Sequence, residues 1–476
     1  MLRPESFRPA LGALVAAMTL AGCSFIPTYE RPAAPVAPAF AEPAASGVAP
    51  ASTLSGAAAD TIEWQRFFVD PRLKRLIEIA LANNRDLRVA ALNIENLRAQ
   101  YQIRRADILP TVNVAATGQR QTTAADTISS QYAVGLAVTA WELDLWGRVR
   151  SLSEAALAQY YGSEEARKAT QISLVAAVAS TYITMLADDE QLKVTRQTLA
   201  TREDSFKLTQ LKFDNGVASS LDLHQAESLL EGAKAALAQQ VRLRAQDENA
   251  LVLLLGQAPP ADLPAGLSMY EQALQTDLPP GVPSEVLARR PDVRNAEQQL
   301  IAANANIGAA RANFFPRISL TGSAGTVSNE LSGLFQSGSF GWSFAPQVTL
   351  PIFDSGRNFA TLDVAKVNRE IAVAQYEKSI QTAFREVSDA LAGRATLTEQ
   401  SRAQVAQAAA EQKRFDLTDL RYRNGASSYF EVLEAQRALF TAQQAAVLTQ
   451  AAQVQNQIAL YKVLGGGWTE PPATQN

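Results

Sequence analysis

The 476-residue chain holds one cysteine and one histidine, so chemistry resting on thiols, imidazoles or a soft metal has two positions at which to occur. Cys23 ends the run Leu20-Ala21-Gly22-Cys23, behind a positive start at Arg3 and Arg8 and an apolar stretch from Leu11 to Leu20. A short apolar stretch closed by small residues marks an export signal. Leu-Ala-Gly-Cys is also the pattern of a bacterial lipobox, in which the cysteine is lipidated and becomes the new N-terminus; a chance cysteine at the end of the signal is the alternative. The sequence therefore predicts a signal peptide over 1–22 and acylation at Cys23, and Ser24 rather than Asp after the cysteine points to the outer membrane. Acylation removes the only thiol, although the compartment permits disulfides. His224 has no cysteine or second histidine to complete a metal site and reads as a surface residue. No nucleophile–base set, metal-ligand spacing or phosphate loop is present, so an enzyme is the weakest class and no metal or cofactor is expected.

The rest of the composition narrows the field further. Lys and Arg number 43 against 47 Asp and Glu, so no basic face for nucleic acid is implied. No stretch after the signal reads as an apolar membrane helix, which leaves strands or the lipid as the route to a membrane. The mature chain is long enough for two or three ordinary domains. Residues 23–60 are rich in Pro, Ala and Ser and read as an extended tether. A second Pro-rich connection over 257–283 and a Gly- and Pro-rich tail over 466–476 punctuate what remains.

Between these segments the chain is written twice, over 61–256 and 284–465. Pro110 returns as Pro316, 206 residues on; Gly147-Arg148 returns as Gly356-Arg357, Asn215-Gly216 as Asn424-Gly425 and Leu255-Gly256 as Leu464-Gly465, all 209 residues on. Two copies of so long a unit imply a pseudo-symmetric object. Each copy opens with a helix, in the first from about Pro71 to Ile108, stopped by Pro110. A period-two hairpin of roughly ten-residue strands follows, over about 110–142 and again over about 316–351. Tyr132, Val134, Leu136 and Val138 alternate with Ala133, Gly135, Ala137 and Thr139. Phe340, Trp342, Phe344, Val348 and Leu350 alternate with Ser339, Gly341, Ser343, Gln347 and Thr349.

An apolar face backed by a small, polar one fits a transmembrane β-barrel strand; an antiparallel sheet packed on a soluble core is the alternative. The strand count discriminates between them. Four strands cannot close around a lumen, and an open sheet edge is not tolerated in lipid, so a membrane role requires several chains to share one barrel. Trp141, Trp146, Tyr132 and Trp342 suit interfacial girdles or, equally, protein contacts.

After each hairpin the chain runs from Arg148 to Asp214 and from Arg357 to Arg423 without proline and with one glycine each, Gly162 and Gly393. About 65 residues at 1.5 Å each make a helix of roughly 100 Å, with apolar steps of three and four as in a coiled coil. Asn-Gly turns end both helices, and a shorter helix returns from each.

Several stretches together resemble the TolC-like outer membrane factor family, lipoprotein branch: Cys23…Pro27-Thr28-Tyr29-Glu30-Arg31-Pro32, Trp64…Phe67…Asp70-Pro71…Leu73, Leu287-Ala288-Arg289-Arg290-Pro291-Asp292-Val293, Ala312-Asn313-Phe314-Phe315-Pro316-Arg317-Ile318 and Leu350-Pro351-Ile352-Phe353-Asp354-Ser355-Gly356-Arg357. The resemblance covers the chain from Cys23 onward. It implies a mixed α+β, mainly helical fold: a homotrimeric α-barrel of long coiled-coil helices continuing into a shared twelve-stranded transmembrane β-barrel, four strands from each of three chains, with an equatorial belt. It also implies sites. Phe430, Glu431 and Glu434, just after the second glycine turn, match the family's periplasmic gate, where rings of apolar and acidic groups close a pore and bias it toward cations. The family usually has aspartate at one or both acidic positions. Asp222, Tyr422 and Arg437 match the latch that ties neighbouring tips together, although Ser427 stands where another member has arginine.

The function implied is an outer membrane channel lipoprotein of a tripartite efflux system, a passive duct partnered by a periplasmic adaptor, an inner membrane transporter of the resistance-nodulation-division class and outer membrane lipid. The alternatives are the outer component of a type I protein secretion machine and, without lipid-facing strands, a periplasmic coiled-coil adaptor or scaffold.

Overall fold

The computed structural model describes residues 24–40, 59–122, 128–272, 278 and 289–468. The signal peptide over 1–22, Cys23 and tail residues 469–476 lie outside the described residues, as do 41–58 of the tether and 273–277 and 279–283 of the second connection. The elements are α1 (Trp64–Phe67), α2 (Pro71–Asn83), α3 (Arg85–Ala106), β1 (Val112–Thr122), β2 (Ile128–Glu142), α4 (Arg148–Asp214), α5 (Ser220–Leu255), α6 (Pro291–Ala312), β3 (Arg317–Ser328), β4 (Phe340–Thr349), α7 (Arg357–Arg423) and α8 (Tyr429–Val463). Helix, hairpin, long helix and returning helix thus occur twice, and α4 and α7 are each 67 residues long. The chain divides into two compact units, one from Met1–Ala33, Leu92–Glu165 and Arg294–Lys378, the other from Ala34–Ala91, Ala166–Val293 and Ser379–Asn476.

The first unit holds one antiparallel sheet in the order β1-β2-β3-β4. Because paired residues share a face, the register sorts the side chains of all four strands at once. Val114 pairs with Leu136, Leu136 with Ala324 and Ala324 with Trp342. One face therefore carries Val112, Val114, Val134, Leu136, Ile318, Leu320, Phe340, Trp342, Phe344 and Val348. The other carries Asn113, Thr117, Ser319, Thr321, Ser323, Ser343 and Gln347. Trp342 is 74% exposed and Phe344 62%, so none of the described residues covers the apolar face where they stand.

Two details depart from the plain alternation. β2 runs 15 residues rather than about ten, and its register shifts between Val138 and Trp141. Ala140, at φ 52°, takes up the extra residue and donates its N–H to Thr321 Oγ1 at 3.2 Å. This β-bulge brings Trp141 onto the same face as Val138, where strict alternation would put it on the opposite one. Where β2 meets β3, Gly135 pairs with Gly325. A Cβ on either glycine would collide with the other strand's backbone, so at this pair the two copies meet main chain to main chain.

The same unit shows where the first residues of the expected tether lie. Residues 25–31 lie along α6: Phe25 stacks on Phe315 at 4.7 Å, Asn304 donates to Pro27 O at 2.7 Å, and Ile26 packs with Ala302, Ala305 and Ala155. Glu297 accepts from Tyr29 Oη at 2.9 Å and from both Nε and Nη2 of Arg31 at 2.7 and 2.8 Å. Gly308 provides the room, since a Cβ there would lie 2.6 Å from Ile26 Cγ1. The equivalent first-copy residues, Ala91, Arg98 and Gln102, 206 residues earlier, lack this chemistry.

In the second unit the single helix expected from Pro71 to Ile108 is two. Asn84 leaves the helical region at ψ 132°, its Oδ1 accepts from Leu87 N at 2.9 Å, and its Nδ2 donates to Leu254 O at 3.0 Å. The partner on α5 supplies what no local signal announced. Asp70 caps α2 through Oδ1, with Pro71 in the first position. Its Oδ2 accepts from Tyr182, the Leu267 N–H and Gln272 at 2.8–3.1 Å, which satisfies a buried carboxylate in full. The core around it includes Phe67 stacked on Tyr461 at 3.9 Å. α4 also contains a window of mean hydropathy 1.4, long enough to cross a bilayer and half buried, contrary to the expectation that no later helix qualifies. Its apolar residues Leu174, Val175, Val178, Ile183 and Met185 belong to this core.

Candidate gate at the helix turns

The second unit contains both turns that join a long helix to its returning partner. Gly216 and Gly425 adopt φ +73° and +74°, the left-handed conformation that favours glycine. The hydrogen bonds match as well: Gly216 N donates to Phe213 O at 2.9 Å and Gly425 N to Tyr422 O at 3.0 Å. Three residues later Ser219 caps α5 and Ser428 caps α8.

Asp222 and Glu431, equivalent at 209 residues, each complete the cap of their own helix. Asp222 Oδ2 accepts from Ser219 N at 3.1 Å and Ser219 Oγ at 2.7 Å, a capping box. Glu431 accepts from Ser427 Oγ at 2.5 Å and Ser428 Oγ at 3.4 Å. The Ser427 hydroxyl holds the Glu431 carboxyl below its ordinary range. Phe430, 56% exposed, projects from the first turn of α8. One turn on, Glu434 pairs with Arg437 at 3.2 Å.

A groove between α5 and α8 is lined by Leu221, His224 and Gln225 from the first copy and Phe430, Glu434 and Arg437 from the second. Two of the expected gate residues thus come together with one latch residue and with their own first-copy counterparts. His224 contacts Glu227 at 3.0 Å on the surface.

The three expected latch residues do not meet within the chain. Tyr422 Oη accepts from Lys212 Nζ at 2.6 Å, and the same ammonium lies 4.4 Å from the Tyr422 ring centroid. Tyr422 packs on Tyr429 at 5.4 Å, whose Oη hydrogen-bonds Ser205 Oγ at 2.7 Å. Arg202 on α4, buried, donates to Leu229 O of α5 at 2.9 Å and lies 5.2 Å over Phe440 of α8. Burial, with Arg437 nearby, lowers its pKa. Lys212, Ser205, Tyr429 and Arg202 hold the turn region together and were not singled out from sequence. Long side chains on distant helices have no local pattern, but Ser219-x-x-Asp222 was a readable capping signal.

Comparison with known proteins identifies this architecture. The model of the outer membrane efflux protein family matches twice, over residues 76–257 and 282–466. A toluene efflux pump outer membrane protein of Pseudomonas putida is 48% identical over 473 residues, covering 98% of this chain and 97% of the relative. Outer membrane protein OprJ of Pseudomonas aeruginosa is 48% identical over 476 residues, 97% of each. Among solved structures, a membrane protein from Pseudomonas aeruginosa superposes with TM-score 0.85 at 46% identity, over 95% of this chain and 99% of that one. The open state of the Neisseria gonorrhoeae MtrE outer membrane channel does so with TM-score 0.84 at 43% identity, over 94% and 98%. The chain belongs to the outer membrane efflux protein family and is an outer membrane efflux channel that extends into the periplasm.

Proposed function

We propose that three copies of this chain, lipidated at Cys23, form a passive duct for small organic compounds, partnered by a periplasmic adaptor and an inner membrane pump of the resistance-nodulation-division class. The observation that carries it is the two-faced sheet whose outer strands, β1 and β4, have no further strand beside them among the described residues. An uncovered aromatic face suits lipid, and open edges in lipid must pair with another chain. Three chains of four strands give twelve, closed by a ring symmetry. In this reading the copies at 61–256 and 284–465 each contribute a hairpin-tipped arm, joined by the 257–283 connection. The inner wall is neutral between its ends, lined by Ser, Thr, Asn and Gln, and suits cargo of no fixed charge. Relatives named for toluene, solvent and antibiotic efflux favour that cargo over secreted protein.

Selection and closure fall to the turns, where Phe430 and Glu434 face the groove and Arg437 partly neutralises Glu434. Three Phe430 side chains supply an apolar constriction and three Glu434 an acidic one, with Glu431 fixing the helix start beside them. Asp222, Tyr422 and Arg437 act as the latch through contacts between chains, released when the adaptor binds the open arrangement more tightly. Planar-bilayer recording tests the gate: Phe430→Ala with Glu434→Ala raises single-channel conductance, and a conductance equal to that of the parent removes the assignment.

A further inference from the structure

The polar face of the sheet changes character at its foot. Ser319 pairs with Glu142 and Thr349 with Arg317. Glu142 and Arg317 therefore stand on the face of Ser319, Thr321 and Gln347, which forms the inner wall of the proposed channel. There one carboxylate holds two guanidiniums. Glu142 Oε1 accepts from Arg148 Nε at 2.7 Å, and its Oε2 accepts from Arg148 Nη2 at 2.7 Å and from Arg317 Nε at 2.6 Å.

A cavity of about 290 Å³ opens beside this cluster, and a third guanidinium, that of Arg357 at the start of α7, lines it with the first two. The other two carboxylates on its wall are already engaged. Asp144 accepts from the N–H groups of Val149 and Arg150 and from Arg150 Nε at 2.9–3.2 Å. Asp354 accepts from Gly356 N at 3.0 Å and from Asn358 N at 2.9 Å. Donors are left in excess. The Arg317 side chain is 58% exposed and bonds through Nε alone among the described residues. The Arg357 guanidinium bonds none of them. Trp146 and Phe315, stacked at 4.9 Å, give the same cavity an apolar wall.

We propose that this cavity binds the carboxylate of a small organic anion between the open fork of Arg317 and Arg357, with the apolar part of the anion against Trp146 and Phe315. A planar carboxylate accepts two parallel N–H bonds from a guanidinium fork. A phospholipid would meet the opposite, apolar face. Thr111 and Pro351 stand at the equivalents of Arg317 and Glu142, 206 residues earlier and 209 on, so each chain builds the site once. That it faces the duct rests on the channel reading; the binding does not. In the duct its charge is opposite to that of Glu434 at the turns, so an organic anion is held where the neutral wall ends.

Titration of the full-length protein in detergent with benzoate, at constant ionic strength, tests the site; benzamide is the uncharged control. Benzoate raises the thermal midpoint of the parent until the site is full, and benzamide does not. Arg357→Gln abolishes the shift without lowering the midpoint of the free protein, and Arg317→Gln abolishes it as well. No benzoate shift in the parent, or an equal shift in Arg357→Gln, overturns the site. Planar bilayers test where it faces. For three charges about 10 Å from the axis, screened at about 0.1 M salt, Arg317→Gln lowers the chloride-to-potassium permeability ratio about fivefold. A parent that conducts with a ratio unmoved by the substitution overturns the placement in the duct. A parent that never conducts removes the channel reading and that placement together, while the benzoate shift still decides the site.

Discussion

Trp342 and Ser343 are adjacent in β4 and face opposite ways, so aspartate placed at each in turn measures what each face meets. Trp342 exposes 74% of its surface. For an aromatic of roughly 200 Å² that is about 150 Å², which at about 25 cal/mol per Å² contributes ~4 kcal/mol when it enters hydrocarbon. A carboxylate facing lipid adds ~1–3 kcal/mol according to its depth. Trp342→Asp therefore costs about 5–7 kcal/mol per chain, and three times that if three chains share the barrel. Ser343→Asp replaces a hydroxyl that hydrogen-bonds Ser323 Oγ at 2.7 Å on the polar face, at a cost of ~1 kcal/mol. The assay is the yield of detergent-resistant oligomer in outer membrane fractions, with total expression matched. Trp342→Asp abolishes it and Ser343→Asp retains most of it. Equal yields, or a larger defect from Ser343→Asp, would refute the assignment of faces and return the sheet to a soluble setting.

Two further outcomes follow from the contacts. Glu297→Ala removes the acceptor of both Tyr29 and Arg31 and Gly308→Val drives a side chain into Ile26, a misfit of ~1–3 kcal/mol; in either variant the amides of residues 25–31 exchange faster while those of the sheet do not. Asn84→Ala leaves Leu254 O and Leu87 N without partners, which costs ~1–3 kcal/mol and appears as a lower thermal midpoint in detergent; an unchanged midpoint would mean that the break between α2 and α3 is held by other contacts.

Much of the fold was legible because its signals are periodic and long. Strand alternation placed Trp342, Phe344 and Leu136 on the apolar side before any register was known, and the 209-residue offset matched α4 to α7 residue for residue. The failures share a cause. The break at Asn84, the shift at Ala140 and the docking of residues 25–31 on α6 each depend on a partner remote in sequence: Leu254 O, Thr321 Oγ1 and Glu297. No local pattern encodes such a partner, because Asn, Ala and Glu are ordinary residues where they stand. At the turns the glycine and serine positions were legible, but the bond that Asp222 makes within its own chain was not drawn from them. A serine three residues upstream offered it a cap, and a short-range bond of that kind forms before any partner helix arrives.

The crossing of Gly135 and Gly325 has a consequence for how this channel can change over time. Each glycine is confined by the opposing main chain, which no substitution elsewhere can trim. Neither position can therefore be rescued by its neighbour, and the two cannot drift as a compensating pair. A saturation library would find two cold spots with no coupling between them. Contact maps inferred from correlated variation would be blank at a point where the duplicated halves meet.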